Sequence, residues 1–586
     1  AQAVVGAFWA AMNAANGRGH LSVTSMDDGV PELIPGVTGL TWPEEPTPAA
    51  IPFSDRIRKY PLPKYLEHFD SKVKPHQFDA DSNPGGIISL GVAESTLGAA
   101  RLRKFIQENV PLRVDDDADI FAYGQTQGKA DLRRVMLDLM KEQVFVDGQE
   151  PAAEQRLQAF KEKMRPEHVV VANGSPALMQ MLALVLTDHP EHAARAGAPA
   201  DAFMTFGPRY PGFLFDVSGQ VETPLVQFPG RADLKALPST EELDAFYERT
   251  LREERRRIRA VLLCNPDNPT GYAYKKKEWL RVIRWARGRR VFTISDEVYA
   301  AGVYNQAHFS LFRHADATFW ALSKDLGGAG LRVGALYSPH AEVLARMGDV
   351  SEAYQLPPIY QNFVADLLSH RAFMREFVAD VRELHRANFE LLGAKLEELE
   401  IPFEKFCGSE DTVAGQGGLY LWADFGGLVT DELGRAAEEK KVTVTECLYE
   451  VLVEEHGLFL SPGAALFDSE DDRRATTHMR LVYSANPPDT LRLATKRLEA
   501  FARRMRIRRF LERRSYAEDL RVRHDFGHDS DRGASGADRL AKPQESSYRV
   551  SNFPEEVGSA LPRGGEFTWP SAGKELVIFY NRFATF

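Results

Sequence analysis

Three apolar runs in the middle of the chain each break off into a polar stretch, and this order constrains the fold more than any other feature. Val261-Leu262-Leu263-Cys264 ends in Asn265-Pro266-Asp267-Asn268-Pro269-Thr270-Gly271. Val291-Phe292-Thr293-Ile294-Ser295 ends in Asp296-Glu297-Val298-Tyr299. Phe319-Trp320-Ala321-Leu322 ends in Ser323-Lys324-Asp325, followed by a glycine-rich turn and then Arg332. Short apolar and β-branched runs bounded by turn residues read as buried strands. Strands that alternate with helical patterns predict an α/β fold with a mostly parallel sheet.

The third stretch carries a specific chemistry. Small residues around Lys324 let the backbone approach a cofactor closely, so the lysine amine can be held at an aldehyde carbon. The Ser323 hydroxyl and the Arg332 guanidinium are then in reach of a phosphate. An aldehyde and a phosphate on one ring describe pyridoxal 5'-phosphate (PLP). A lone Ser-Lys pair is usually surface, so the argument rests on the stretches around it. Upstream, Val169-Val170-Val171-Ala172 predicts a strand, and Asn173-Gly174-Ser175-Pro176 opens a helix to about Leu186. Backbone amides at a helix start suit a phosphate. Pro176 supplies no N–H.

Taken in order, NPxNPTG, SDExY and SKDxGxxGxRVG resemble the signature of fold-type I PLP enzymes of the aminotransferase class I/II superfamily. The form SKDLGGAGLRVGALYS is most similar to 1-aminocyclopropane-1-carboxylate (ACC) synthases and their relatives. The resemblance covers roughly Ile87 to Phe501. It implies an aspartate-aminotransferase-like fold with a large PLP domain at 121–364. A smaller α+β domain would be built from 85–120 and 365–514, with an arm at 1–84 and an extension at 515–586.

The resemblance also implies roles for single residues. Lys324 would carry PLP and then act as general base. Asp296 would pair with the pyridine nitrogen, and Asn268 and Tyr299 with the ring 3'-oxygen. Tyr210 would stack on the ring. Ser323, Arg332, Gly174 and Ser175 would hold the phosphate. Arg480, in His478-Met479-Arg480-Leu481-Val482-Tyr483, would grip the substrate α-carboxylate in a bidentate fork. Tyr123 would reach the active site of a neighbouring subunit, which implies a homodimer. Glu94, in Gly91-Val92-Ala93-Glu94, would lie near the substrate.

Two departures qualify the resemblance. Ser95-Thr96 stands where relatives have Asn-Gln, and from the residues alone one of the two is expected to cap the next helix. Arg209 replaces a tyrosine beside Tyr210. It would bind an anionic group of the substrate or point to solvent, and the sequence leaves both open.

The implied substrate is S-adenosylmethionine (SAM) or a related γ-activated amino acid. Methylthioadenosine would leave from Cγ, and the product is open. An aminotransferase is the alternative. A non-catalytic PLP-binding regulator would need a basic helix-turn-helix, and the proline-rich residues 1–84 carry no such pattern.

Composition excludes other classes. A net charge of −11 argues against a nucleic-acid partner. No apolar run approaches a membrane span, and the opening residues lack the basic start of a signal peptide. Cys264, Cys407 and Cys447 are widely spaced, form no CxxC and suggest no metal site, which points to a reducing, cytoplasmic setting.

Further expectations concern the periphery. The arm is expected to pack through Trp42, Phe53, Tyr60 and Tyr65. The basic run Arg252 to Arg259 reads as the solvated face of a helix. The stretches 141–166 and 188–200 read as charged surface insertions. Thr490 to Arg514 reads as a long basic amphipathic helix, and Glu575 to Phe583 as a strand.

Overall fold

The computed structural model describes residues 64–112, 118–145, 151–230, 237–303, 308–404 and 415–526. The chain divides into two units, Ala1–Ser515 and Tyr516–Phe586, and the architecture below belongs to the first, except for the last residues of the C-terminal helix. Trp42, Phe53, Tyr60, Cys407 and the stretch Glu575 to Phe583 lie outside the described residues.

A seven-stranded sheet forms the centre. Its strands are β1 (Val169–Ala172), β2 (Ala200–Phe206), β3 (Leu225–Phe228), β4 (Arg256–Cys264), β5 (Phe292–Asp296), β6 (Ala317–Ala321) and β7 (Gly334–Tyr337). They lie in the order β1-β7-β6-β5-β4-β2-β3. Only β7 runs against its neighbours, β1 and β6; the other pairings are parallel. Every residue of β1, β6 and β7 is buried, as expected when helices cover both faces of a parallel sheet. In such sheets ligands gather outside the carboxyl ends of the strands.

The helices begin where local chemistry dictates. Ser239 caps Thr240–Arg252 through a capping box with Glu242, and Thr443 caps Val444–His456 in the same way with Glu446. A second, three-stranded antiparallel sheet joins β8 (Tyr420–Asp424), β9 (Ser461–Pro462) and β10 (His478–Val482), with β10 in the middle. Ile88–Ser89 pairs in parallel with Leu458–Phe459. The long helix Arg371–Glu398 joins two hydrophobic clusters, one through Phe377 and the other through Leu392.

Three peripheral expectations change. The run from Arg252 to Arg259 is not a helical face. The helix stops at Arg252, and Arg256 already belongs to β4. Alternation explains the change. Ile258 and Ala260 point inward, while Arg257 and Arg259 point outward and reach the Asp201 carboxylate at 2.6 and 3.9 Å. Secondly, neither Ser95 nor Thr96 caps the next helix. Ala99–Asn109 has Gly98 at that position, with no side-chain cap. Both hydroxyls instead bind distant partners, Ser95 Oγ with His385 Nε2 at 2.9 Å and Thr96 Oγ1 with the Ala485 carbonyl at 2.9 Å. Thirdly, the basic C-terminal helix runs further than expected, from Pro488 to Phe526. Of the arm, residues 64–76 form a short helical segment in which Tyr65 and Val73 are buried in the core around Phe459.

Candidate active site

Five segments deliver side chains to one place, all at the same end of the sheet. β5 ends in Asp296, and Tyr299 follows in the turn. β4 ends at Cys264, and the Asn-Pro turn brings in Asn268. β6 ends at Ala321, and the single turn Leu322–Asp325 presents Lys324. β1 leads through Asn173 into the helix Gly174–Leu186. β2 leads through a bend to Arg209 and Tyr210.

The lysine is held from both sides. Its Nζ donates to the Ala93 carbonyl at 2.5 Å. Its neighbour Asp325 accepts from the Trp320 indole at 2.8 Å and from the Ala301 N–H at 3.1 Å, tying the lysine turn to the Tyr299 turn. Gly327 has φ +62°, and a Cβ there would lie 2.4 Å from the Ser95 carbonyl oxygen, so only glycine allows this approach. Burial lowers the Lys324 pKa to about 8. The Arg480 charge lowers it too, while Glu94 and Asp296 oppose the fall and Arg332 adds to it. The amine therefore feels both carboxylates and both guanidinium groups.

Asp296 is buried, and its pKa is pushed up to about 7 by burial first. The Val298 N–H bond opposes that rise, Glu297 adds to it and Lys324 opposes it. Its carboxylate accepts from the Val298 N–H at 3.2 Å and faces the Cys264 thiol at 4.0 Å. Among the described residues no cationic side chain is bonded to it. A buried acid without a bonded cation is raised in this way, and a protonated ring nitrogen would relieve it. Glu297 beside it is tied down by Ser295 Oγ, the Leu311 N–H and His308 Nε2. Asn268 Nδ2 donates to the Tyr299 hydroxyl at 3.1 Å, so the two side chains expected to share one oxygen touch each other.

Arg480 is buried and sits in the middle of β10. Its Nη1 donates to Asn268 Oδ1 at 2.8 Å, and its Nη2 to the Gly91 carbonyl at 2.7 Å and Ser461 Oγ at 3.1 Å. Among the described residues its Nε and the Tyr420 hydroxyl, both buried, find no hydrogen-bond partner. Its guanidinium carbon lies 5.4 Å from the Tyr420 ring centre.

The phosphate end is equally defined. Gly174 has φ +82°, and a Cβ there would lie 2.9 Å from Arg332 Nη2, so the guanidinium sits directly over the helix start. Ser175 follows in the first turn, and Arg332 is exposed, with its Nη1 on the Ala329 carbonyl at 3.1 Å. Ser323 is buried. This combination fits a solvent-reachable dianion. Helix amides, a hydroxyl and a guanidinium would hold the PLP phosphate, while Asp296, Asn268 and Tyr299 surround the space for its ring.

Of the other expected residues, Tyr210 is partly exposed and meets Phe213 edge-on at 5.3 Å. Burial of its hydroxyl, then the nearby Asp216, raise its pKa, and Arg480 and Asp296 also act on it. It thus belongs to the cluster. Glu94 is exposed at the rim, its carbonyl held by Ser484 Oγ at 2.6 Å. Tyr123 stands apart, 95% exposed.

Several participants in the site carry no local motif. Tyr65 reaches Ser461 with its hydroxyl and lies near Arg480. Asp216 is pushed up to about 7 by burial and by Asp296, with Arg332 opposing. His385 is kept neutral by burial, at about 4, behind Ser95. Among the described residues no group of His, Cys, Asp or Glu is placed to hold a metal ion, and no helix is long and apolar enough to cross a membrane.

The sheet and the lysine-centred cluster define a fold-type I PLP-dependent enzyme. A profile of the aminotransferase class I and II family matches residues 86–498, and the chain belongs to that family. A probable aminotransferase of Arabidopsis thaliana is 27% identical over 416 residues, 68% of this chain and 75% of that protein. A 1-aminocyclopropane-1-carboxylate synthase of Arabidopsis thaliana is 25% identical over 449 residues, covering 73% of this chain and 90% of its own. Among solved structures, aspartate aminotransferase from Thermus thermophilus with maleate superimposes with a TM-score of 0.55. It is 20% identical and covers 77% of this chain and 100% of its own. The corresponding enzyme from Thermotoga maritima gives 0.55, 20%, 77% and 99%. The fold is the aspartate-aminotransferase fold.

Proposed function

We propose that this enzyme acts on SAM or a closely related γ-activated amino acid, with loss of methylthioadenosine from Cγ by cyclisation, γ-elimination or γ-replacement. The observation that carries the reading is Glu94. Lys324 Nζ donates to the carbonyl of Ala93, the residue before it, and the exposed Glu94 carboxylate opposes the fall in the lysine's pKa, so it stands at the mouth of the site. A carboxylate there attracts a sulfonium, and opposite unit charges about 4 Å apart gain roughly 4 kcal/mol at an effective dielectric near 20, before desolvation. ACC synthases among the relatives agree with this choice.

Bound PLP supplies an electron sink that acidifies the α-C–H of an amino acid joined to it. The chain's own residues do the rest. Arg480 clamps the α-carboxylate and fixes the orientation of Cα. With PLP bound, Asp296 would keep the ring nitrogen protonated. Tyr299 and Asn268 would bind the ring 3'-oxygen, and Tyr210 would cover one face. Lys324, with its pKa near 8, takes the α-proton. In cyclisation Cα bonds to Cγ, the Cγ–S bond breaks, and the sulfur keeps the electron pair. The spaced cysteines support a cytoplasmic setting.

The test is to incubate enzyme with SAM, with and without added nucleophiles, and to measure methylthioadenosine by mass spectrometry. Glu94→Gln should slow SAM turnover about tenfold or more while α-proton exchange of a neutral amino acid changes little. If no methylthioadenosine forms, while an amino acid and a 2-oxo acid interconvert the aldehyde and amine forms of the cofactor, the enzyme is an aminotransferase.

A homodimer with shared sites is proposed on Tyr123. A tyrosine that is 95% exposed and flanked by Phe121 at 85% is an apolar projection with no use in an isolated chain. Mixing inactive Lys324→Ala with inactive Tyr123→Ala protein should restore part of the activity, because one hybrid site keeps both residues. An active monomer in sedimentation would refute the arrangement.

A further inference from the structure

Arg209 is withdrawn from bulk solvent, and only a small part of it reaches the wall of the cavity that Tyr65 and Asp468 also line. It is 5% exposed, and every nitrogen of its guanidinium is hydrogen-bonded. Nε donates to Asp468 Oδ2 at 3.2 Å, and Nη2 donates to Oδ1 of the same carboxylate. Nη1 donates to the Tyr210 carbonyl at 3.1 Å and the Pro211 carbonyl at 3.3 Å. The Arg209 N–H donates to the Leu466 carbonyl at 2.9 Å. Each guanidinium nitrogen thus already has an acceptor, and four of the five N–H groups are used within the protein.

The far side of this contact leads back to the site. Leu466 and Asp468 close the turn that follows Ser461 and Pro462. Ser461 pairs with Arg480 in the sheet, and its Oγ accepts from Arg480 Nη2. Gln227 reinforces the junction. Its Nε2 donates to the Leu466 carbonyl at 3.1 Å, and its Oε1 accepts from the Asp468 N–H at 2.7 Å. One side of the junction holds the backbone of Tyr210, and the other holds the residue that supports Arg480. A planar guanidinium suits this place because it meets a carboxylate with two parallel bonds and still has N–H groups for carbonyls.

We propose that Arg209 is a positioning residue. Through its paired bonds to Asp468 it fastens the Tyr210–Pro211 bend to the turn after Ser461, and so fixes the Tyr210 ring relative to the Arg480 guanidinium. The proposal rests on the roles given above to Tyr210 and Arg480. It makes Arg209 a determinant of how substrate sits, with no contact to it.

The experiment compares wild type with Arg209→Gln, Arg209→Lys, Asp468→Asn and the Gln/Asn double variant. Three quantities are read: the pyridoxyl label left on the Lys324 peptide after borohydride, the circular dichroism of the visible cofactor band, and KM and kcat. Thermal midpoints of the cofactor-free proteins are measured alongside.

Arg209→Gln should keep the label, weaken the dichroism and raise KM about tenfold to a hundredfold, with a smaller change in kcat, as expected for a misplacement of the order of 1 Å. Asp468→Asn should do the same. The double variant should be no worse than the worse single one, because both remove one junction. Arg209→Lys should recover only part of the dichroism, since an ammonium cannot form the paired bonds.

Lowered thermal midpoints with wild-type dichroism and KM would overturn the proposal and leave Arg209 a stabilising ion pair. A KM rise confined to substrates with an anionic side chain would overturn it in favour of direct substrate binding. Absence of any label on Lys324 in the wild type would instead overturn the reading of the site, and this proposal with it.

Discussion

Lys324→Ala should bind PLP without a covalent link and lose turnover by roughly 10⁴-fold or more, because one residue supplies both the attachment and the base. Borohydride reduction should leave a pyridoxyl group on the wild-type Lys324 peptide and on no other lysine. A label elsewhere would overturn the assignment. The pH dependence follows from the Lys324 pKa near 8. PLP uptake by cofactor-free protein needs the neutral amine, so its rate should rise with pH and level off above about 8. An unburied lysine would still gain past pH 10.

Linkage gives a second, independent consequence. The folded pKa lies below the unfolded one, so the folded state binds fewer protons between about pH 8 and 10, and stability rises with pH there. Below pH 8 the fold bears the full cost of a buried ammonium. Cofactor-free Lys324→Met should therefore melt higher than cofactor-free wild type at pH 7, with the difference shrinking as pH approaches 10. A difference that stays constant with pH would show that the amine is not buried as a cation.

Most of the legible parts of the site share one property: they are carried by a short run at the end of a strand. Asp296, Asn268, Lys324 and Gly174 follow directly on apolar runs, so strand and chemistry are read together. Arg480 was legible because its motif covers a whole strand. What was missed depends on contacts between distant segments. Ser95 and His385 are 290 residues apart, and Arg209 and Asp468 are 259 apart. Each such pair depends on tertiary packing that no local period encodes. Tyr65 packs as the aromatic content of the arm predicts, its ring filling the core beside Phe459, but nothing local indicates that its hydroxyl reaches Ser461. The basic run that enters β4 reads as a helical face only by its charge, because its arginines alternate with Ile258 and Ala260 along the strand. Charge density alone does not distinguish period 2 from period 3.6.

Arg480→Leu should lower kcat/KM by roughly 10²- to 10⁴-fold, since two hydrogen bonds to a charged carboxylate contribute about 1.5–3 kcal/mol each. The loss should appear for every α-amino acid tested, and should be much smaller for an amine that lacks the carboxylate. That contrast separates recognition from damage, because the arginine also has structural duties. It bonds Asn268 Oδ1, the Gly91 carbonyl and Ser461 Oγ, and its removal leaves these acceptors in a buried space. Arg480→Lys keeps the charge but cannot form the two parallel bonds, so it should restore the fold and only part of the affinity. Removing the Arg480 charge also relieves Lys324, whose pKa should rise and carry the PLP-uptake midpoint above 8 with it. An uptake midpoint that does not move in Arg480→Leu would show that the guanidinium does not share the lysine's field, and that the cluster is looser than its hydrogen bonds indicate.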